Sequence, residues 1–233
     1  MPYELPVHVA TRPALIPLGN GAALSADLSL AEHPQGLVLF AHGSGSGRLS
    51  PRNRTVADVL VHTGLGTLLV DLLTEQEAVR DAVSADLRFD IDLLRERVVA
   101  AVDWAGQTQT TRRLPLGLFG ASTGAAAALA AAADRPTAVR AVVSRGGRPD
   151  LAGELLPSVA AATLFIVGSC DSEVLELNRR ALSAIPATRR LEIVEGASHL
   201  FEEPGTLEQV AQLASAWFRE HVCGAPRGGT GSR

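Results

Sequence analysis

The sequence predicts an α/β domain built on a mostly parallel, twisted sheet with helices on both faces. Three observations carry that prediction. Short apolar, β-branched runs alternate with longer helical patterns along the chain, as strand–helix–strand units require. Several of those runs, such as Gly36-Leu37-Val38-Leu39-Phe40-Ala41, are apolar without interruption, as strands buried on both faces must be. The composition is 46% hydrophobic but only 4% aromatic, so Ala, Val and Leu must fill the core. A chain of this size buries roughly 70% or more of the surface its unfolded form exposes, so one large core is feasible without staples.

Taken in order, Val7 to Ala10 and Ala23 to Leu30 read as early strands, the second alternating apolar and polar residues. The run from Gly36 to Ala41 is a buried strand ending at a glycine-rich turn. Residues 50–63 form a helix opened by Ser50-Pro51, an N-cap followed by proline at the first helical position. Gly66 to Asp71 is the next buried strand, and residues 88–105 carry an amphipathic helix. Leu114 to Phe119 is a strand, Ser122 to Ala133 a helix and Ala138 to Ser144 a strand. Thr163 to Val167, a helix over 173–184, a strand over 190–194 and a helix from about 206 to 221 complete the set. Residues 72–90 are polar and charged; they form either a cap over a site or a plain surface connection. A single domain is expected over residues 1–222. The Gly-rich stretch from 223 to 233 lacks periodicity and reads as a flexible tail.

A net charge of −4 without a basic stripe gives nucleic-acid binding little support. Two cysteines make no disulfide framework, so a reduced, cytoplasmic setting is the expectation. The first residues lack a basic region followed by an apolar core, and the longest apolar run, Ala125 to Ala133, is far too short to span a bilayer. No membrane partner is expected. Neither an H-E-x-x-H helix nor a paired Cys/His cluster is present, and neither a P-loop ending nor a dinucleotide fingerprint appears. No metal and no cofactor are predicted. The oligomeric state is not specified by these residues.

The chemistry concentrates at strand ends. Gly120-Ala121-Ser122-Thr123-Gly124 lies between a buried strand and an Ala-rich helix, where G-x-S-x-G puts a nucleophilic serine on a tight turn. The plain alternative is an ordinary strand–helix turn. His42-Gly43-Ser44-Gly45-Ser46-Gly47 follows an earlier strand, where a second oxyanion donor belongs; the donors are assigned to the backbone of Ser44 and Thr123. His42 itself reads as a structural, hydrogen-bonding histidine. Asp171 follows the strand ending at Val167 and is the candidate acid, with a helix N-cap role as its bland reading and Asp150 as its rival. His199, on the loop after the last strand, is the candidate base, and the order Ser, Asp, His matches that of serine hydrolases on open sheets. Arg145, Arg148 and Arg48 stand at the edge of this region and are candidates for binding an anionic substrate group, because guanidinium forks match carboxylate and phosphate. Arg52 and Arg54 lie close in sequence. The competing reading pairs these arginines with Asp150, Glu75 or Asp90 to hold loops. Cys170, Trp104 and Trp217 read as packing residues.

Through these segments the chain resembles the α/β-hydrolases of the dienelactone hydrolase type. The resemblance rests on Phe40-Ala41-His42-Gly43-Ser44-Gly45, Phe119-Gly120-Ala121-Ser122-Thr123-Gly124, Val143-Ser144-Arg145-Gly146-Gly147-Arg148-Pro149-Asp150 and Gly196-Ala197-Ser198-His199-Leu200-Phe201. It covers the chain from about residue 20 to residue 221. It is closest to a bacterial subgroup of small hydrolase domains, some joined to a phosphoribosyltransferase domain for which these residues show no counterpart. Dienelactone hydrolases proper carry a cysteine nucleophile; serine at 122 shifts the expectation from that pathway's lactone opening to a serine esterase. The resemblance thus implies the α/β-hydrolase fold and hydrolysis of a small carboxylic ester or lactone through an acyl-enzyme. An acyltransferase, thioesterase or peptidase on the same triad is the second reading. A non-catalytic ligand-binding protein on a hydrolase scaffold is the third.

Overall fold

The structure, a computed structural model, describes residues 9–19 and 21–224. Its elements run β1 (Val9–Pro17), β2 (Ala23–Ala31), β3 (Leu37–Ala41), α1 (Pro51–His62), β4 (Gly66–Val70), α2 (Glu75–Ser84), α3 (Ile91–Gln107), β5 (Leu116–Ala121), α4 (Thr123–Asp134), β6 (Val139–Arg145), β7 (Ala162–Gly168), α5 (Ser172–Ala184), β8 (Arg189–Val194) and α6 (Thr206–Phe218). The strands form one sheet in the order β1-β2-β4-β3-β5-β6-β7-β8. β1 pairs antiparallel with β2, and β2 antiparallel with β4; β3 to β8 are parallel. This is the mostly parallel, helix-flanked sheet the sequence predicts.

The alternation of side chains along each strand sorts the core into two layers. In β3, Leu37, Leu39 and Ala41 face one way, toward Leu94 and Val98 of α3, Ala127 and Ala128 of α4, and Ala181 of α5. Val38 and Phe40 face the other, toward Val56 and Leu60 of α1 and Val210 and Phe218 of α6. On α4, every side chain from Ala125 to Ala132 is buried. A helix enclosed all round can dispense with an apolar stripe, and alanine lets its backbone lie close to the strand ends. Phe40 and Phe119 are cross-strand neighbours with ring centroids 4.8 Å apart, a pairing worth about 0.5–1.5 kcal/mol beyond its area. They brace the sheet beneath the turn after β5.

The differences from the sequence reading have local causes. Val7 and His8 lie outside the described residues, and β1 continues through Pro13 to Pro17 instead of stopping at Ala10. It is an edge strand, where a missing N–H can face away from the ladder; Leu18 donates to the Ala22 carbonyl at 2.7 Å to close the hairpin. Residues 72–90 contain α2, capped by a reciprocal box in which the Thr74 hydroxyl accepts from the Glu77 amide and the Glu77 carboxylate from the Thr74 amide, and a 3-10 turn at Leu87–Phe89. A 3-10 segment at Pro149–Ser158 follows β6. α6 ends at Phe218 and passes into a π-helical turn at Arg219–Cys223. The expected tail therefore begins inside a helical turn, and beyond Gly224 it lies outside the described residues.

Candidate active site

Ser122 occupies the turn between β5 and α4 with φ 51° and ψ −121°. Only two other non-glycine residues, Ala85 and Phe201, have positive φ among the described residues. Such a conformation costs on the order of 1–3 kcal/mol and persists only where its surroundings impose it. Here the Ser122 amide donates to the Arg145 carbonyl at 3.2 Å, while its own carbonyl accepts from the amides of Ala125 and Arg148, both at 3.1 Å. The flanking glycines are required by contact. A Cβ at position 120 would stand 2.4 Å from the Ala125 Cα, and one at 124 would stand 2.3 Å from the carbonyl oxygens of both Ala41 and His42. Their absence lets the end of β3 and the start of α4 close on each other. The loop after β3 is thereby brought to the serine: a Cβ on Gly43 would be 3.0 Å from the Ser122 Cβ.

The two assigned oxyanion donors are neighbours. The hydroxyls of Ser44 and Thr123 share a hydrogen bond of 2.9 Å. Among the hydrogen bonds of the described residues, neither backbone amide has an acceptor. Thr123 opens α4, where the first amides have no intrahelical partner and the helix dipole is positive. His42 anchors this loop from below. The Leu72 amide donates to its Nε2 at 3.0 Å, so the proton sits on Nδ1, which donates to the Gly43 carbonyl at 2.9 Å. Burial holds its pKa below the ordinary 6.5, against the opposing pull of the Gly43 carbonyl and Asp71. The ring is a neutral structural post.

Asp171 sits at the N-cap position of α5, yet its side chain makes no cap bond. It accepts instead from His199 Nδ1 at 2.6 Å, leaving Nε2 as the imidazole's free nitrogen. The rival acid, Asp150, is gripped by Arg148 through two bonds of 2.9 and 2.7 Å. His199 packs on Gly146, whose φ of +51° favours glycine; a Cβ there would touch the imidazole Cε1 and Nδ1 at 3.5 Å. The segment 145–148 thus contacts Ser122 on one side and His199 on the other. Among the described residues, Ser122 Oγ and His199 Nε2 are not hydrogen-bonded to each other, and neither has another protein partner. Two residues not singled out from sequence steady the His199 loop: Glu203 accepts from the Ser198 amide at 3.1 Å, and Ser169 from the Gly196 amide at 2.8 Å. Cys170, expected to pack, is exposed; Trp217 is buried, with its indole N–H on the Ala162 carbonyl at 3.1 Å.

The arginines divide sharply. Arg48 is held by Asp71, through its amide at 2.6 Å and through its guanidinium, with Asp27 at 3.6 Å. Arg54 pairs with Asp27 at 3.1 Å, Arg52 with Glu202 at 3.1 Å, and Arg148 with Asp150. Of the partners expected from sequence only Asp150 is used; Asp90 instead caps α3. Arg145 is buried, and its Nε and Nη1 have no acceptor. Beside the loop after β3 lies a cavity of about 580 Å³, lined among others by His42, Gly43, Ser44, Asp71, Asp81 and Arg88. α2 forms one wall of it, so the 72–90 segment covers a recess next to the loop. Arg88 ties that wall down, donating to the Asp81 carboxylate from its amide at 3.0 Å and its Nε at 2.7 Å, while Ser44 Oγ donates to the Arg88 carbonyl at 3.2 Å.

A dienelactone hydrolase from Anabaena variabilis is similar over 92% of this chain and 99% of its own, with 52% identity and a TM-score of 0.90. The chain belongs to the dienelactone hydrolase family. More distant structures share the α/β-hydrolase fold, among them Est1E from Butyrivibrio proteoclasticus (16% identity over 89% of this chain and 98% of its own, TM-score 0.74). A dienelactone hydrolase-like promiscuous phosphotriesterase from metagenomic libraries matches at 16% identity over 91% of this chain and 98% of its own, with a TM-score of 0.71. Two Mycobacterium tuberculosis proteins, provisionally named phosphoribosyl transferases, are 58% identical over 84% of this chain. The chain spans 44% of the length of those relatives. No family model matches it. The relative that shows the family is a hydrolase by name. Among the described residues, no helix is long and apolar enough to cross a membrane, and no group of three or more His, Cys, Asp or Glu side chains is arranged to hold a metal ion.

Proposed function

We propose that this chain is a serine hydrolase of small carboxylic esters or lactones, with Ser122 as nucleophile, His199 as base and Asp171 as the acid orienting it. The observation that carries this reading is the convergence at segment 145–148: the strained serine hydrogen-bonds to that backbone, and the Asp171-bonded imidazole packs on Gly146. Catalytic hydrogen bonds commonly tighten only when substrate binds, and here the closing step is the approach of Ser122 Oγ to His199 Nε2.

Ser122 Oγ attacks the acyl carbonyl as its proton passes to Nε2. The carbonyl π pair moves onto oxygen, which the amides of Ser44 and Thr123 stabilise; one such donor is worth about 2.7–4 kcal/mol in comparable sites. The tetrahedral intermediate collapses, the bond to the alkoxy oxygen breaks, and His199 returns the proton to the leaving alcohol. Water then attacks the acyl-enzyme by the same route, releasing the acid and restoring the serine. Asp171 fixes the imidazole tautomer and stabilises the imidazolium. No cofactor is called for. Two free cysteines fit a reducing, cytoplasmic setting. The phosphoribosyl transferase name of the longer relatives stays with those proteins.

Hydrolysis of p-nitrophenyl acetate tests the reading. A burst of p-nitrophenol stoichiometric with enzyme, abolished in Ser122→Ala, is the expected result; turnover undiminished in that variant would overturn it. Competing alcohols and amines distinguish hydrolysis from acyl transfer, with the free acid expected as the dominant product.

A further inference from the structure

Arg145 ends β6 with its side chain on the α1/α6 face of the sheet. It retains 7% exposure, and both Nε and Nη1 are sealed from solvent without an acceptor. The other arginines around the site each have a carboxylate: Arg48 has Asp71, Arg148 has Asp150, Arg54 has Asp27 and Arg52 has Glu202. What Arg145 has is another cation and a ring. Arg52 reaches the same loop by pairing with Glu202, the neighbour of the Phe201 that Arg145 covers; burial, followed by the Arg52 charge, brings the Arg145 guanidinium down to about 10. Arg52 has an unpartnered buried Nε of its own. The Phe201 ring is 5.9 Å from the Arg145 Cζ, the outer limit of a cation–π contact, and a ring face leaves the N–H donors unsatisfied.

Two neighbouring guanidiniums with unused donors, one of them buried, form an arrangement that is unfavourable alone and is relieved by an anion. Arg52 also stands in the first turn of the twelve-residue α1, where the helix dipole adds positive potential. We infer that Arg145 and Arg52, between the start of α1 and the 199–202 loop, form a binding site for a single oxyanion group, a carboxylate or a phosphate. The site adjoins the candidate catalytic centre: the Arg145 carbonyl accepts from the Ser122 amide, and Phe201 is two residues beyond His199. Its use for an acidic group on the ester rests on the proposed hydrolase reading; anion binding itself does not.

Calorimetric titration with inorganic phosphate and, separately, acetate tests the site directly, using Ser122→Ala protein beside the native chain so that catalysis plays no part. Saturable binding of at least one anion to both proteins is expected, weakened tenfold or more in Arg145→Met and several-fold in Arg52→Gln; the tighter of the two titrations identifies the group. Arg52 is partly exposed, so Arg52→Gln remains decisive if Arg145→Met does not fold. Absence of saturable binding of either anion to the native chain, or binding unchanged in the folded variants, would overturn the site. A protein that binds anions but fails to turn over esters would refute the hydrolase reading alone.

Discussion

Replacing His42 with phenylalanine isolates the post beneath the oxyanion loop. The ring is 9% exposed and holds the Leu72 amide and the Gly43 carbonyl together. Phenylalanine fills a similar volume but strands the Leu72 N–H, and a buried donor left without an acceptor costs about 1–3 kcal/mol. The Gly43 carbonyl loses less, because it keeps the Ser46 amide at 3.2 Å. For a domain of this size, a loss of about 2 kcal/mol lowers Tm by about 4–8 °C. Released from β4, the loop carrying Gly43 and Ser44 shifts relative to Ser122, so kcat falls more than KM rises. The pH dependence supplies a second signature. With the folded-state pKa of His42 below 6.5, the unfolded chain takes up a proton that the folded chain refuses. The stability contribution is complete above pH 6.5 and declines as pH falls below it, by at most about 1.4 kcal/mol per unit. Urea melts of the native and His42→Phe proteins between pH 5 and 8 would show this slope in the first and a shallower one in the second. A variant as stable as the native chain, with the same pH slope and the same kcat, would refute the role given to the histidine.

Three further outcomes follow from the same geometry. Asp171→Asn leaves the fold intact but favours the wrong imidazole tautomer; a fall in kcat of about 10³–10⁴ is expected from stopped-flow ester hydrolysis, by analogy with the serine-protease aspartate, whereas Asp150→Asn should leave kcat within a few-fold. Gly124→Ala drives a methyl against two carbonyl oxygens, so circular dichroism melts should show a loss of stability larger than that of Gly106→Ala, whose added Cβ meets nothing within 4 Å. The Asp81 carboxyl lies below its ordinary range because hydrogen bonds from the Arg88 amide and guanidinium outweigh its burial. Its contribution is complete above the ordinary aspartate range and is lost as pH falls through the lowered value. Asp81→Asn should accelerate limited proteolysis within residues 72–90 at neutral pH, and an unchanged cleavage rate would contradict the tie to Arg88.

Much of this arrangement is legible in the sequence because it is local. The buried strands announce themselves as unbroken apolar runs, Ser50-Pro51 marks a helix start, and Gly120 is dictated by contacts within one strand–turn–helix unit, whereas Gly124 answers to the end of β3. α2 was not read: Thr74 and Glu77 are spaced as a capping box, but the exposed Val79 and Val83 give the helix no buried stripe. The fates of the arginines were not legible. Whether Arg48 meets a carboxylate depends on Asp71 at the end of β4 and Asp27 on β2 arriving at the same corner, and Arg145 lacks one because its strand directs it between α1 and the 199–202 loop. The Asp171–His199 bond joins two loops 28 residues apart; chain order suggests it, and only the pairing of β7 with β8 delivers it.

The most direct measurement is mapping the adduct of a fluorophosphonate probe by peptide mass spectrometry in the native chain, Ser122→Ala and His199→Ala. A single adduct on Ser122 in the native chain, lost in the first variant and strongly slowed in the second, is the predicted result. An unlabelled native protein, or labelling at another serine that survives Ser122→Ala, would contradict the account.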